Sequence, residues 1–243
     1  MTDVLTGKRI AFLVAPEGVE QVELTEPWRA VRDAGGTAVL VSTKEGRVQA
    51  FNHLDRAETF AVDETVGQAD PASFDALVLP GGVANPDLLR WQPGVAAFTR
   101  SFFDAGRSVA VICHGPETLI NADVVRGRRI TSWPSLQADL VNAGANWVDE
   151  EVVVDADGPN VLVSSRKPDD LKAFNPALVE EFARPSRGRT RAAGAGVSDE
   201  AAAREVAGQT SADLKAADVF ARESGGAATG TEAAKAEGND LAR

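Results

Sequence analysis

The chain has 243 residues, 44% hydrophobic and 25% charged, so wholesale disorder is excluded and one large domain or two small ones can fold. The net charge of −11 argues against nucleic acid and anionic membranes as partners, and no apolar run reaches the length of a membrane-spanning helix. A single Cys excludes an internal disulfide, and with only two His the sequence gives no sign of a metal site. The single Cys and the lack of a secretory signal pattern favour a cytoplasmic protein.

Strand and helix patterns alternate along residues 1–184, which predicts an α/β domain with a mainly parallel sheet and helices on both faces. The segment 46–68 has a poorer pattern and is either a hairpin or an irregular crossover. The predicted strands are Arg9–Ala15, Thr37–Ser42, Phe74–Leu79, Ser108–Ile112, Val152–Val154 and Val161–Ser164. The predicted helices are Glu20–Ala34, Pro93–Ala105, Glu117–Ala122, Leu136–Ala143 and Pro168–Ala183.

The composition changes sharply at residue 185. The last 59 residues contain 17 Ala and 8 Gly but only six larger apolar residues. Such a segment buries too little apolar surface to offset the entropy of ordering it. Residues 185–243 are therefore predicted to be a disordered or weakly helical tail, and its best helix candidate, Ser211–Glu223, is either solvated or a partner-binding helix.

Three turns follow predicted strands, and a parallel sheet brings such turns together at one edge, where ligands bind. They are Pro16–Glu20, Pro80–Gly82 and Cys113–Pro116.

Cys113 is the candidate nucleophile. A lone Cys is usually a small buried hydrophobe, but here an apolar strand runs directly into Cys, a polar residue and Gly. This order is similar to a strand–nucleophile–helix elbow, with Val111 where that pattern has Gly. At a helix start, the backbone N–H groups favour a thiolate, so we expect a lowered pKa for the Cys113 thiol.

Four further residues are candidates for the same site, and each has two interpretations. Gly81 and Gly82 offer backbone N–H groups for an oxyanion, or simply form a tight turn. Glu20 is either a protonated carboxyl that faces the thiol or a residue that caps the following helix. His114 is a candidate base or a structural His, and the other His, His53, has only a weak claim because it lies in the unclear segment.

Together these motifs resemble the DJ-1/PfpI family, in particular its PfpI-like branch of protease I and general stress proteins. The resemblance covers residues 8 to about 183 and does not include the tail. Its motifs are Val19–Leu24 (VEQVEL), Phe74–Gly82 (FDALVLPGG), Ile112–Pro116 (ICHGP), Leu140–Ala145 (LVNAGA) and Trp147–Asp149 (WVD).

The resemblance implies a flavodoxin-like three-layer sandwich of the class I glutamine amidotransferase-like superfamily, assembled as a homodimer or a larger oligomer. It makes Cys113 the nucleophile, Glu20 the carboxyl that contacts it and His114 the adjacent His. In the PfpI-like branch, a carboxylate from a neighbouring subunit can complete a Cys–His–acid set. Asp87 matches that carboxylate, although it is one carbon shorter than the usual Glu and displaced by one residue; its alternative role is to cap the helix after Pro86.

The family implies a stress-response hydrolase or lyase that acts on small carbonyl or peptide substrates, as a peptidase, glyoxalase or deglycase. A Cys113 thiolate would attack the carbonyl, without a metal, flavin or nucleotide cofactor. The alternative is a non-catalytic oxidative-stress sensor or chaperone in which Cys113 is a redox switch.

Overall fold

The computed structural model describes residues 3–187, so residues 188–243, which include nearly all of the predicted tail and its candidate helix, lie outside the described residues. The last described residues still contact the domain. The Arg187 N–H donates to the Gly106 carbonyl at 3.0 Å, and the Arg187 guanidinium donates to the Ala156 carbonyl. No helix among residues 3–187 is long and apolar enough to cross a membrane.

A seven-stranded sheet forms the centre of the domain, in the order β11-β12-β8-β7-β1-β3-β6. All neighbours are parallel except β11 and β12, and the five longer parallel strands follow the flavodoxin-like order 2-1-3-4-5. The strands are β1 Arg9–Val14, β2 Glu17–Glu20, β3 Thr37–Ser42, β4 Arg47–Asn52, β5 Asp55–Ala61, β6 Glu64–Thr65, β7 Ala76–Leu79, β8 Ser108–Ile112, β9 Arg129–Ile130, β10 Asn146–Trp147, β11 Val152–Asp155 and β12 Leu162–Ser165.

Helices cover both faces of this sheet, as the alternation predicts. Helices α1 and α6 pack on one face, and α3, α4 and α5 contribute to the core on the other. The helices are α1 Gln21–Asp33, α2 Ala84–Arg90, α3 Val95–Asp104, α4 Pro116–Asn121, α5 Gln137–Asn142 and α6 Leu171–Ala183.

The central strands are apolar without interruption because each of their faces lies in a separate core. In β1, Ile10, Phe12 and Val14 pack towards α1 and α6, whereas Ala11 and Leu13 pack towards α3 and α4. This is the period-2 alternation of a strand buried on both sides. The three-layer sandwich predicted from the sequence is therefore confirmed.

The segment 46–68 contains a hairpin, one of the two alternatives that the sequence left open. Strands β4 and β5 pair antiparallel, and β2 joins β4 to complete a small three-stranded sheet. His53 lies at the tip of this hairpin with a φ of 57°. The short strands β2, β6, β9 and β10 were not predicted, and α2 was expected only as a helix after Pro86, without bounds.

Candidate active site

Cys113 occupies a sharp turn between β8 and α4. Its φ is 61°, in the left-handed region that non-glycine residues seldom adopt and that costs about 1–3 kcal/mol. Two backbone hydrogen bonds hold it there: its N–H donates to the Ser165 carbonyl at 3.1 Å, and its carbonyl accepts from the Trp133 N–H at 2.9 Å. A strained nucleophile between a strand and a helix is the elbow that the sequence predicts.

Gly81 and Gly82 allow the turn after β7 to approach this elbow. A Cβ at Gly81 would lie 2.6 Å from the Cys113 Cβ and 2.6 Å from Glu23 Oε2. Gly82 has a φ of 90°, and a Cβ there would lie 2.2 Å from the Gly18 carbonyl oxygen. A residue with a Cβ fits at neither position unless the neighbouring atoms of the site move.

We expect Gly81→Ala to lower the free energy of unfolding by about 1–3 kcal/mol, because the added methyl group must displace Cys113 or Glu23. Urea denaturation measures this change. Gly67→Ala is the matched control, since a Cβ at Gly67 meets no atom within 4 Å, and we expect its effect to stay within about 0.5 kcal/mol. Equal stability of the two variants would contradict the close approach of the turn to the thiol.

Glu23, and not Glu20, is the carboxyl that faces the Cys113 thiol, which corrects the sequence-based assignment. Glu23 is fully buried at the start of α1, and its Oε2 accepts a hydrogen bond from the Gly81 N–H at 3.0 Å. Glu20 instead ends β2 in an extended conformation, and its Oε2 accepts from the His53 N–H at 2.9 Å. Glu20 thus fixes the hairpin tip.

Glu23 is protonated at neutral pH. Burial raises its pKa from 4.5 to about 8, and the nearby Glu20 carboxyl raises it further. Hydrogen bonding with the Cys113 side chain and from the Gly81 N–H lowers the pKa but is outweighed. The other carboxyl oxygen, Oε1, is buried and has no hydrogen-bond partner within residues 3–187. Glu23 can therefore carry a proton beside the thiol.

The Cys113 thiol has a raised pKa, contrary to the lowered value expected from a helix start. Burial is the main cause, and the Glu23 carboxyl adds to it, whereas the N–H groups of Gly82 and His114 lower the pKa. The Cys113 side chain is consequently a neutral thiol at rest, and its ionisation would require a base.

His114 is placed to be that base. Its Nδ1 lies 3.3 Å from Cys113 Sγ, and its ring stacks on the Trp133 indole with 5.7 Å between centroids. Burial lowers the pKa of His114 from 6.5, so the imidazole is neutral at pH 7 and can accept a proton.

Two predicted roles are not supported within one chain. The Gly81 N–H donates to Glu23, so it is not available to an oxyanion. Asp87 is exposed in the first turn of α2, makes no contact with His114 among residues 3–187, and lies inside the helix rather than capping it. It lines a cleft of about 530 Å³ together with Arg90, Glu117 and Asp139.

Two site residues were missed from the sequence. Glu23 belongs to the buried stripe of α1, with Leu24, Pro27 and Val31, and a carboxyl at helical spacing within an apolar face was the available signal. Trp133 follows the short strand β9, and nothing in its local pattern places it beside His114.

Residues 8–181 match the family model described as the DJ-1/PfpI family. Protein/nucleic acid deglycase 2 of Escherichia coli K12 is 43% identical over 169 residues, 70% of this chain and 94% of that protein. Deglycase PH1704 of Pyrococcus horikoshii is 41% identical over 166 residues, 68% and 94% of the respective chains. The crystal structure of Drosophila melanogaster DJ-1beta is 29% identical with a TM-score of 0.64, covering 75% of this chain and 91% of that one. As its motifs indicated, the chain belongs to the DJ-1/PfpI family.

Proposed function

We propose that this chain is a cysteine-dependent enzyme that attacks the carbonyl carbon of small carbonyl or peptide substrates, with deglycation as its leading reaction. The observation that carries the proposal is the grouping of a thiol, a neutral imidazole 3.3 Å from it and a protonated carboxyl on a strained elbow. The deglycase names of two relatives favour carbonyl adducts as substrates.

The proposed first step needs only the residues of this chain. His114 Nδ1 takes the proton from Cys113 Sγ, and the N–H groups of Gly82 and His114 stabilise the negative charge on sulfur. The sulfur then forms a bond to the carbonyl carbon while the C=O π bond breaks, and the oxygen takes the proton that Glu23 carries. Peptidase, glyoxalase and deglycase reactions share this addition.

The test is steady-state turnover of a panel that contains methylglyoxal, methylglyoxal adducts of N-acetylcysteine and guanosine, and a short peptide. The guanosine adduct is included because the name of the Escherichia coli relative includes nucleic acid. We expect Cys113→Ser to lower turnover of the accepted substrate at least 10³-fold, because a hydroxyl is a much weaker nucleophile near neutral pH. Turnover that survives this change would contradict the proposal.

The oxidation sensor and the chaperone remain the alternatives to an enzyme. A redox switch requires an exposed thiolate of low pKa, whereas Cys113 is 6% exposed and its pKa is raised. The sensor therefore has less support from the site than the enzyme has. We propose a cytoplasmic homo-oligomer as the working form, in which Asp87 of one subunit approaches His114 of another.

A further inference from the structure

Within residues 3–187 of one chain, no acid contacts the imidazole of His114, although an acid usually orients such a ring. Within residues 3–187, its only hydrogen bond joins Nδ1 to Cys113 Sγ at 3.3 Å. In Cys–His–acid sets, a third group holds the base in the plane and tautomer that the nucleophile needs. Some other contact must therefore hold the ring of His114 in this chain.

Trp133 supplies the contact. Its indole stacks on the imidazole with 5.7 Å between ring centroids and an angle of 24° between the planes. The indole is 39% exposed whereas His114 is 9% exposed, so Trp133 covers the base while it remains partly in solvent itself. A partly exposed indole adds little to the hydrophobic core, so its main described contact is the one with the His114 ring.

The backbone of Trp133 is fixed to the nucleophile as well. Its N–H donates to the Cys113 carbonyl at 2.9 Å, and its own carbonyl accepts from Ser132 Oγ at 2.9 Å. Ser132 Oγ in turn accepts from the indole N–H of Trp147 at 2.9 Å. The following Pro134 restricts Trp133 to an extended backbone. These contacts fix the backbone from which the Trp133 indole reaches the His114 ring.

We propose that Trp133 is a positioning residue that holds the His114 imidazole in the plane from which Nδ1 faces the thiol. The proposal rests on the proposed function, in which His114 is the base. Of the titratable side chains, Cys113 contacts the ring, and Glu23 interacts with the same thiol. Glu117, three residues after His114, pairs with Arg90 at 3.4 Å.

Nuclear magnetic resonance of the imidazole nitrogens tests this without any substrate. The chain has only two His, and His53→Asn identifies the signals of His114. We expect a single tautomer in the wild type, protonated at Nε2, with a pKa below 6.5. In Trp133→Ala the tautomers should mix and the pKa should rise towards 6.5, whereas Trp133→Phe should keep the wild-type signature because its ring can still stack.

Trp91→Ala is the matched control, since it removes another indole that is exposed, by 59%, and we expect it to leave the His114 signals unchanged. Unchanged tautomer and pKa in Trp133→Ala would overturn the proposal. Should Trp133→Ala fail to fold, Trp133→Leu is measured in its place, because it fills more of the volume without an aromatic face.

A double-mutant cycle on iodoacetamide alkylation of Cys113 separates positioning from access. Removing the indole also opens a path to the thiol, and this effect is the same with or without His114. We measure the factor by which Trp133→Ala changes the alkylation rate at pH 7, once with His114 present and once in His114→Ala. We expect the rate to fall with His114 present, by a factor at least tenfold larger than in His114→Ala. Equal changes in both backgrounds would overturn the proposal. A wild type with this coupling but no turnover of any carbonyl substrate would refute only the proposed function.

Discussion

Glu23→Gln is expected to lower turnover by about 10²-fold or more, since glutamine can keep the hydrogen bond from the Gly81 N–H but cannot deliver a proton. In the wild type, kcat should fall as the pH rises through about 8, because the carboxyl then loses the proton it supplies. The variant should lack this descending limb. A pH profile of kcat for both proteins gives the measurement.

The same substitution should change how stability depends on pH. The pKa of Glu23 is raised from 4.5 to about 8 on folding, so the folded protein holds a proton that the unfolded chain has lost. The contribution of the protonated Glu23 to stability is therefore fully present below about pH 4.5 and is lost as the pH rises to about 8. Glu23→Gln should not show this loss.

Glu26→Gln is the control for both measurements. Glu26 lies on the same helix, is partly exposed and pairs with Arg29 at 2.8 Å. Glu26→Gln makes the same carboxyl-to-amide replacement without touching the thiol, so turnover and the pH dependence of stability should stay close to those of the wild type. If Glu23→Gln gave the same results as this control, the carboxyl would not be the proton donor.

Asp87→Asn is expected to lower turnover by about 10²-fold or more if Asp87 of one subunit orients His114 of another. The fold should be little affected, because losing an exposed charge in the first turn of a helix costs at most about 1 kcal/mol. Asp104→Asn is the control, since it removes an exposed carboxylate from the end of α3.

Mixed oligomers make this prediction specific to assembly. Co-expression of Cys113→Ser with Asp87→Asn chains should restore part of the activity, because some sites then combine an intact thiol from one chain with an intact acid from the other. The shared site would be wrong if the mixture stayed inactive, or if a monomer turned over at the full rate.

Most of the fold could be predicted because strands buried on both faces leave continuous apolar runs. β3 and β8 end where those runs end, and helix α1 stops, as predicted, before the Gly pair at 35–36. The bounds of helix α2 escaped prediction because it is short and follows closely on the Gly pair of the site. The strands β6, β9 and β10 escaped because a strand of two residues shows no periodicity.

The site was harder to predict than the fold. The spacing of turns after parallel strands placed Cys113 and the Gly pair correctly at one sheet edge, since this depends only on topology. The choice between Glu20 and Glu23 depends on where α1 begins, because Glu20 ends a strand and Glu23 lies in the first turn of the helix. Such boundaries are not fixed by the sequence pattern. The pKa of the thiol depends on burial, which local sequence does not show.

The two backbone hydrogen bonds of Cys113 affect how the region around this residue unfolds. One joins the nucleophile to the end of β12 and the other to the segment that carries Trp133, so both neighbours must separate before the elbow can relax. A buried amide that donates to a strand of the central sheet stays protected until that strand separates. The amide of Cys113 should thus belong to the slowest hydrogen-exchange class, and heat should remove activity and tertiary structure in a single transition.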